Sequence, residues 1–256
     1  MALKFLSKNK NSKNSQPGQY LLKADSGFGM IESYNVLRTN IMFSLTKTNK
    51  GKIIMLTSSI PGEGKTTISI NTAITFARSG ARVLLIDCDL RKSNVHRYLK
   101  IDGSVGLTNV LCGFSNIVSA IHRNVFKGVD VLPVGEIPPN PTQILSSPEL
   151  KNLLAALSTK YDYIFIDTPP ISVVTDAALI AGYCTGVAVV VREDVTTLDR
   201  LDLTVESLKK ANARIMGFVM LTNDKKRKRY GYYGKYGKYS RYGKYGYYYG
   251  SYKSDY

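Results

Sequence analysis

The chain reads as an α/β domain built on a doubly wound, mostly parallel sheet with helices on both faces. Three observations predict it. Its apolar runs are short, continuous and rich in β-branched residues, as in Val83-Leu84-Leu85-Ile86 and Tyr163-Ile164-Phe165-Ile166, the pattern of strands buried on both faces. These runs alternate with stretches of helical periodicity, the signature of a parallel sheet with crossover helices. A length of 256 residues suits one such domain with appendages and buries a substantial core.

Taken in order, residues 1–24 are polar and basic and predict a flexible lead-in. Over residues 30–46, Ile31, Tyr34, Leu37, Ile41 and Leu45 recur at three- and four-residue steps, an amphipathic helix. Strands are expected at 52–57, 82–87, 129–134, 161–167, 186–191 and 215–221. The intervening helices fall at 65–78, 176–181 and 197–211, with shorter helical pieces up to about residue 120. Ser147 followed by Pro148 reads as N-cap and first helical position of a helix running to about Thr159. The organisation is thus a basic lead-in, a domain over 25–224 and a tail over 225–256.

The tail has its own composition. Of the chain's 18 tyrosines, twelve lie here: Tyr230, Tyr232, Tyr233, Tyr236, Tyr239, Tyr242, Tyr245, Tyr247, Tyr248, Tyr249, Tyr252 and Tyr256. Glycine, lysine and arginine separate them, and the segment contains no Leu, Ile, Val or Phe, so it cannot bury a core and is expected to be disordered. Two functional readings fit it: a stacking, cationic surface for single-stranded nucleic acid, or a set of exposed phosphate acceptors. Charge bears on the choice. Of the net +16, residues 225–256 hold +9 (ten Lys or Arg against Asp255) and residues 1–23 hold +5, leaving +2 for the body. A nearly neutral body disfavours a nucleic-acid-binding globule, and the basic ends suit phosphates, acidic headgroups or an acidic partner face.

Cys88, Cys112 and Cys184 have neither paired nor metal-type spacing, which predicts buried thiols in a reducing compartment. No apolar run approaches membrane-spanning length and no signal core is visible, so a cytoplasmic protein is expected, reaching the membrane only through a partner. His96 and His122 have no ligand-like spacing and receive no role.

The chemistry lies in three motifs. Ser59-Ile60-Pro61-Gly62-Glu63-Gly64-Lys65-Thr66 fits the P-loop pattern with Ser59 in place of the opening glycine, between an expected strand and helix. Pro61, Gly62, Glu63, Gly64 and Thr67 belong to the loop that wraps the phosphates, Lys65 reaches the β and γ phosphates, and Thr66 offers a hydroxyl to Mg²⁺. Asp87 and Asp89 follow a buried strand, and alternation sends both to one side with Cys88 on the other; two acids so placed call for a cation. Asp167 ends a third hydrophobic strand in Walker B form. Phosphoryl transfer needs phosphates and metal held in line and a proton acceptor near the attacking oxygen. Lys65, Thr66, Asp87, Asp89 and Asp167 supply that set, with either Asp87 or Asp89 as the acceptor. Arg91 is either a charge stabiliser or the partner of a nearby acid, and Asn223 either touches the nucleotide base or caps a loop.

These residues resemble the bacterial tyrosine kinase family, in its cytoplasmic capsule or exopolysaccharide form from Gram-positive bacteria. The resemblance rests on Ser59 to Thr66, Leu84 to Arg91, Ile164 to Asp167, the proline-rich Ile137-Pro138-Pro139-Asn140-Pro141 and the tyrosine cluster. It implies a P-loop NTPase fold of the deviant-Walker, partition ATPase-like kind, ATP and Mg²⁺ as cofactors, and autophosphorylation of the tail between subunits. It further implies a separate transmembrane activator, a cognate tyrosine phosphatase and a ring-shaped homo-oligomer. The family's oligomerisation helix carries Glu followed by Arg three and six residues on; here Glu32 is followed by Asn35 and Arg38, so one charged fork is missing. The rival is a switch ATPase of the partition or division-site kind, which commonly has a lysine near the loop's start and no tyrosine cluster. This chain has Ser58, Ser59 and Ile60 there, which favours the kinase, as the neutral body does over a nucleic-acid-binding ATPase.

Overall fold

A computed structural model describes residues 18–45 and 51–222. Asn223, the tyrosine cluster and most of the basic lead-in lie outside the described residues.

The apolar runs form the strands of one sheet: β1 (Lys52–Ser58), β2 (Val83–Asp87), β3 (His122–Phe126), β4 (Val129–Leu132), β5 (Tyr163–Asp167), β6 (Gly186–Arg192) and β7 (Ile215–Leu221). Their order is β3-β4-β2-β5-β1-β6-β7. Every pairing is parallel except β3 with β4. The helices are α1 (Phe28–Ser44), α2 (Lys65–Arg78), α3 (Val95–Leu99), α4 (Leu107–Leu111), α5 (Ile117–Ala120), α6 (Pro141–Leu145), α7 (Pro148–Leu157), α8 (Asp176–Ala181) and α9 (Leu198–Lys210).

Strand alternation divides the interior into two cores. Ile54, Leu56, Leu85 and Phe165 face α1, α2 and α3, whereas Met55, Leu84, Ile86 and Ile166 face α4, α6, α7, α8 and α9. Covering both faces lets the strands be apolar at every position, and β2 is buried throughout. Asn71 on α2 carries a buried polar joint: its amide donates to Tyr34 Oη at 2.8 Å and Tyr20 O at 2.9 Å, and its oxygen accepts Leu22 N–H at 2.8 Å. That joint fixes the entering chain and α1 against α2.

Two elements depart from expectation. β3 was not expected, because His122-Arg123-Asn124 has no apolar run; it is an irregular antiparallel edge strand, with Asn124 at φ 53°. Asp130 holds it by accepting Asn124 N–H at 2.8 Å and Arg123 Nη1–H at 2.8 Å. The proline-rich stretch opens into α6, with Pro141 in the first turn, where a missing N–H costs nothing. Of the cysteines, Cys88 is buried as expected, but Cys112 is exposed and Cys184 half-buried. No helix among the described residues is long and apolar enough to cross a membrane.

Candidate active site

In a parallel sheet the carboxyl ends of the strands carry the loops and helix N-termini, and the three motifs meet there. β1 runs into the loop at Ser59, and α2 begins at Lys65. Gly62 (φ 85°) and Gly64 (φ 87°) both lie in the left-handed region, so the loop curls in a way side chains resist. A Cβ at Gly64 would fall 2.6 Å from Leu221 Cδ1, so the end of β7 packs on the phosphate loop.

Glu63 has a part that sequence did not assign. Its side chain turns inward, accepting the N–H groups of Ser59 at 2.8 Å and Ile60 at 3.0 Å through Oε2, and the Thr196 hydroxyl through Oε1. Ser59 uses its hydroxyl where a glycine has none, accepting from Thr204 on α9 at 3.0 Å. Arg192 Nη1 donates to Gly62 O at 3.2 Å. The loop is thereby braced by the β6–α9 segment before any phosphate arrives. Thr67 is half-buried in the first turn of α2 and Pro61 is exposed at the loop's tip.

Beneath the loop sits a buried charge cluster. Asp87 and Asp167 are register partners at the ends of β2 and β5. Asp167 accepts Thr66 Oγ1–H at 2.7 Å and Ser69 Oγ–H at 2.9 Å. Lys65 Nζ lies 3.1 Å from Asp89 Oδ2 and 3.7 Å from Asp167 Oδ2. Burial works against the Lys65 charge, but Asp167, Asp89 and Asp87 together hold its pKa above the usual value. Asp87 is fully enclosed: Oδ1 accepts Asp89 N–H at 3.0 Å, and Oδ2 accepts Ser93 Oγ–H at 2.8 Å, Val95 N–H at 3.1 Å and Asn94 N–H at 3.3 Å. Even so, burial first and Asp167 second push it up to about 7. Burial likewise raises Asp167, against the pull of Lys65 and its hydroxyl donors.

Such a cluster holds more negative charge than one lysine balances. The Thr66 hydroxyl beside paired carboxylates Asp87 and Asp167 is a donor set of the hard-oxygen kind that fits Mg²⁺. Among the described residues no group of three or more His, Cys, Asp or Glu forms a metal cage.

Arg91 lies apart from this cluster. It forks onto Asp176 at the start of α8 (Nε–Oδ2 2.7 Å, Nη2–Oδ1 3.1 Å) and donates to Thr142 Oγ1 at 3.1 Å. Of the two roles open from sequence, this geometry favours pairing, with an acid 85 positions on in the chain. Asp176 escaped notice because a buried acid in a short helix has no local pattern. Ser69 and Ser93 were also missed; one helical turn past Thr66 was the available signal for Ser69. In α1, Glu32 accepts Asn35 Nδ2–H at 2.9 Å, and it forms no ion pair with Arg38 within the chain.

The AAA domain family matches residues 51–215. The chain is 39% identical over 204 residues to tyrosine-protein kinase YwqD of Bacillus subtilis, covering 78% of this chain and 85% of that one. It is 38% identical over 203 residues to tyrosine-protein kinase ptk of Acinetobacter johnsonii, covering 79% of this chain but 27% of that longer protein. Its fold superposes on the kinase domain of Escherichia coli tyrosine kinase ETK with a TM-score of 0.77 at 27% identity, over 85% of this chain and 86% of that one. With the phosphate loop, the strand-end aspartates and these relatives in agreement, the chain belongs to the bacterial tyrosine kinase family.

Proposed function

We propose that this chain transfers the γ-phosphoryl group of ATP to tyrosine hydroxyls of its own tail, between subunits, and thereby regulates capsule or exopolysaccharide production. The observation that carries the reading is the buried Lys65–Asp89–Asp167 cluster under a phosphate loop against which Leu221, near the end of the described chain and ahead of the tyrosine cluster in sequence, is packed.

The residues divide the work. The loop amides and the N-terminus of α2 bind the phosphates, and Glu63 keeps the loop curled. Mg²⁺ would be held by Thr66 and, directly or through water, by Asp87 and Asp167, and it would neutralise charge on the β and γ phosphates. Lys65 rests on Asp89 here; phosphate oxygens compete for it, and its departure bares Asp89 Oδ2. Asp87 spends both oxygens on four donors, whereas Asp89 accepts only Lys92 N–H at its other oxygen. Asp89 is therefore the better placed proton acceptor. The phenolic oxygen then bonds to the γ phosphorus, the bond to the β–γ bridging oxygen breaks, ADP leaves, and the phenolic proton passes to Asp89.

Association between copies is supported by α1, whose outer side presents Phe28 and Phe43, 80% and 84% exposed, on the helix that carries Glu32 and Arg38. A transmembrane activator, a phosphatase acting on the tail and recruitment to the inner membrane face complete the reading by resemblance to the relatives. The test is incubation of the full chain with Mg-ATP and an activator fragment, followed by phosphotyrosine mapping beside Lys65→Met. Phosphate should accumulate on residues 230–256 in the unmodified chain and be absent from the variant; an unphosphorylated tail in the unmodified chain overturns the proposal.

A further inference from the structure

At the opposite end of the sheet from the phosphate loop is a half-open cavity of about 780 Å³, formed where α2 ends and β2 and β4 begin. The 14 residues of α2 separate the two sites, about 20 Å at the helical rise. Ala77, Ala81 and Val83 give the cavity an apolar floor, and Gly128, at φ 83°, brings its backbone up to Ala77 where a Cβ would sit 3.3 Å from the Ala77 Cβ.

Its walls are cationic. Arg78, Arg82, Arg123, Lys127 and Lys160 line it against a single acid, Asp130. The body of the chain carries only a small net charge, so this is a local concentration and not a reflection of overall basicity. Two of the guanidiniums are already oriented. Arg82 is held by Asp162 through Nη2 at 3.0 Å and Nε at 3.4 Å, and Arg123 by Asp130 and the Tyr161 hydroxyl through Nη1 at 2.8 and 3.0 Å. A guanidinium has five N–H donors, so each keeps some that these bonds do not use. Arg78, Lys127 and Lys160 form no ion pair among the described residues. Arg78 in the last turn of α2 also offsets the negative end of the helix dipole, which would otherwise repel an anion.

We propose that this cavity is a second anion site, which takes a diphosphate group attached to an apolar or flat moiety. Oriented guanidiniums beside mobile ammonium groups match several phosphate oxygens at once. The apolar floor accommodates the remainder of a ligand, and the volume lies in the range of small-molecule sites. The diphosphate could be borne by a soluble molecule or by a lipid headgroup. Because α2 runs from this cavity to the phosphate loop, an occupant here touches the helix whose first turn carries Lys65 and Thr66.

The test uses the full chain with its phosphate loop saturated by Mg²⁺ and a non-hydrolysable ATP analogue, so that the P-loop is closed to the probe. Radiolabelled pyrophosphate in equilibrium dialysis should bind saturably, and Lys127→Ala with Lys160→Ala should weaken binding about tenfold. Both lysines are exposed and distant from the phosphate loop, and circular dichroism and analogue affinity confirm that the variant is folded. In a second arm, sedimentation with phosphatidylcholine vesicles, with and without phosphatidylglycerol, compares the same two proteins. Pyrophosphate binding that depends on the lysines supports a soluble ligand; lysine-dependent sedimentation with anionic vesicles but no pyrophosphate binding supports a lipid source. If neither binding depends on Lys127 and Lys160, the proposal is overturned.

Discussion

Asp87 shows how a single buried carboxylate ties chemistry to stability. Its folded pKa of about 7 lies above the 3.8 of a free aspartate. Between those values the native state binds a proton that the unfolded chain has released, so the ligand-free protein loses stability as pH rises from about 4 to about 7. The ceiling is ~4 kcal/mol for a shift of this size. Thermal melts without Mg²⁺ should therefore show the unmodified chain losing ground to Asp87→Asn as pH rises from about 4 to about 7, whatever constant penalty the amide suffers against its N–H donors. Equal pH slopes would remove Asp87 as the source. The same group implies that Mg²⁺ binding near neutral pH expels a proton, so calorimetric enthalpies should vary with the buffer's ionisation enthalpy more in the unmodified chain than in the variant, where only Asp167 remains raised. Asp89 calls for a different outcome. Asp89→Asn should lower kcat on the order of 10² to 10⁴ while nucleotide affinity changes little, and an unchanged kcat would return the acceptor's role to Asp87. Sequence brought both acids to the strand end but could not rank them, because the ranking rests on Ser93, Asn94 and Val95 closing over Asp87.

Among elements, legibility followed burial. β1, β2, β5 and β6 carry continuous apolar runs between their ends because both faces are covered, and such runs identify themselves; β7 is as apolar in sequence although most of it is only half-buried. β3 did not, since its first three residues, His122, Arg123 and Asn124, are polar and Asp130 and one neighbouring strand hold it in place. α6 was masked by prolines that suit a loop and a helical first turn equally well. Contacts between elements were hidden altogether: nothing local in Asn71 says that it serves Tyr34, Tyr20 and Leu22 together. Asn71→Ala leaves the buried Leu22 N–H without its acceptor and removes the amide that donates to Tyr34 Oη and Tyr20 O, and urea denaturation should show a loss of about 1 to 3 kcal/mol. If α1 mediates association, the same variant should also weaken the oligomer, because Tyr34 anchors the helix to the body.

At the scale of the whole molecule, charge links the site to the segment beyond it. Residues 225–256 carry +9 and twelve tyrosines, and they begin just past Leu221, which packs on Gly64 of the phosphate loop. For a random chain of 32 residues the span is roughly 30 Å, so the proposed transfer can operate within one copy or between adjoining ones. On the proposed function the bare segment is attracted to a site whose buried acids outnumber its lysine. Each phosphate adds about −1.5 to −2, so about five or six cancel the basic charge and further ones reverse it. The proposed function thus makes substrate and switch the same segment: its attraction to a neighbour would fade as the reaction proceeds, and an assembly held partly by that attraction would loosen. Native mass spectrometry of the full chain, before and after phosphorylation driven by an activator fragment, should show larger oligomers in the bare state and smaller ones in the loaded state. Added salt should shrink the bare assembly in the same direction, since exposed charge contacts are screened. Identical oligomer sizes before and after extensive phosphorylation would separate tail chemistry from assembly, leaving α1 as the contact that holds the copies together.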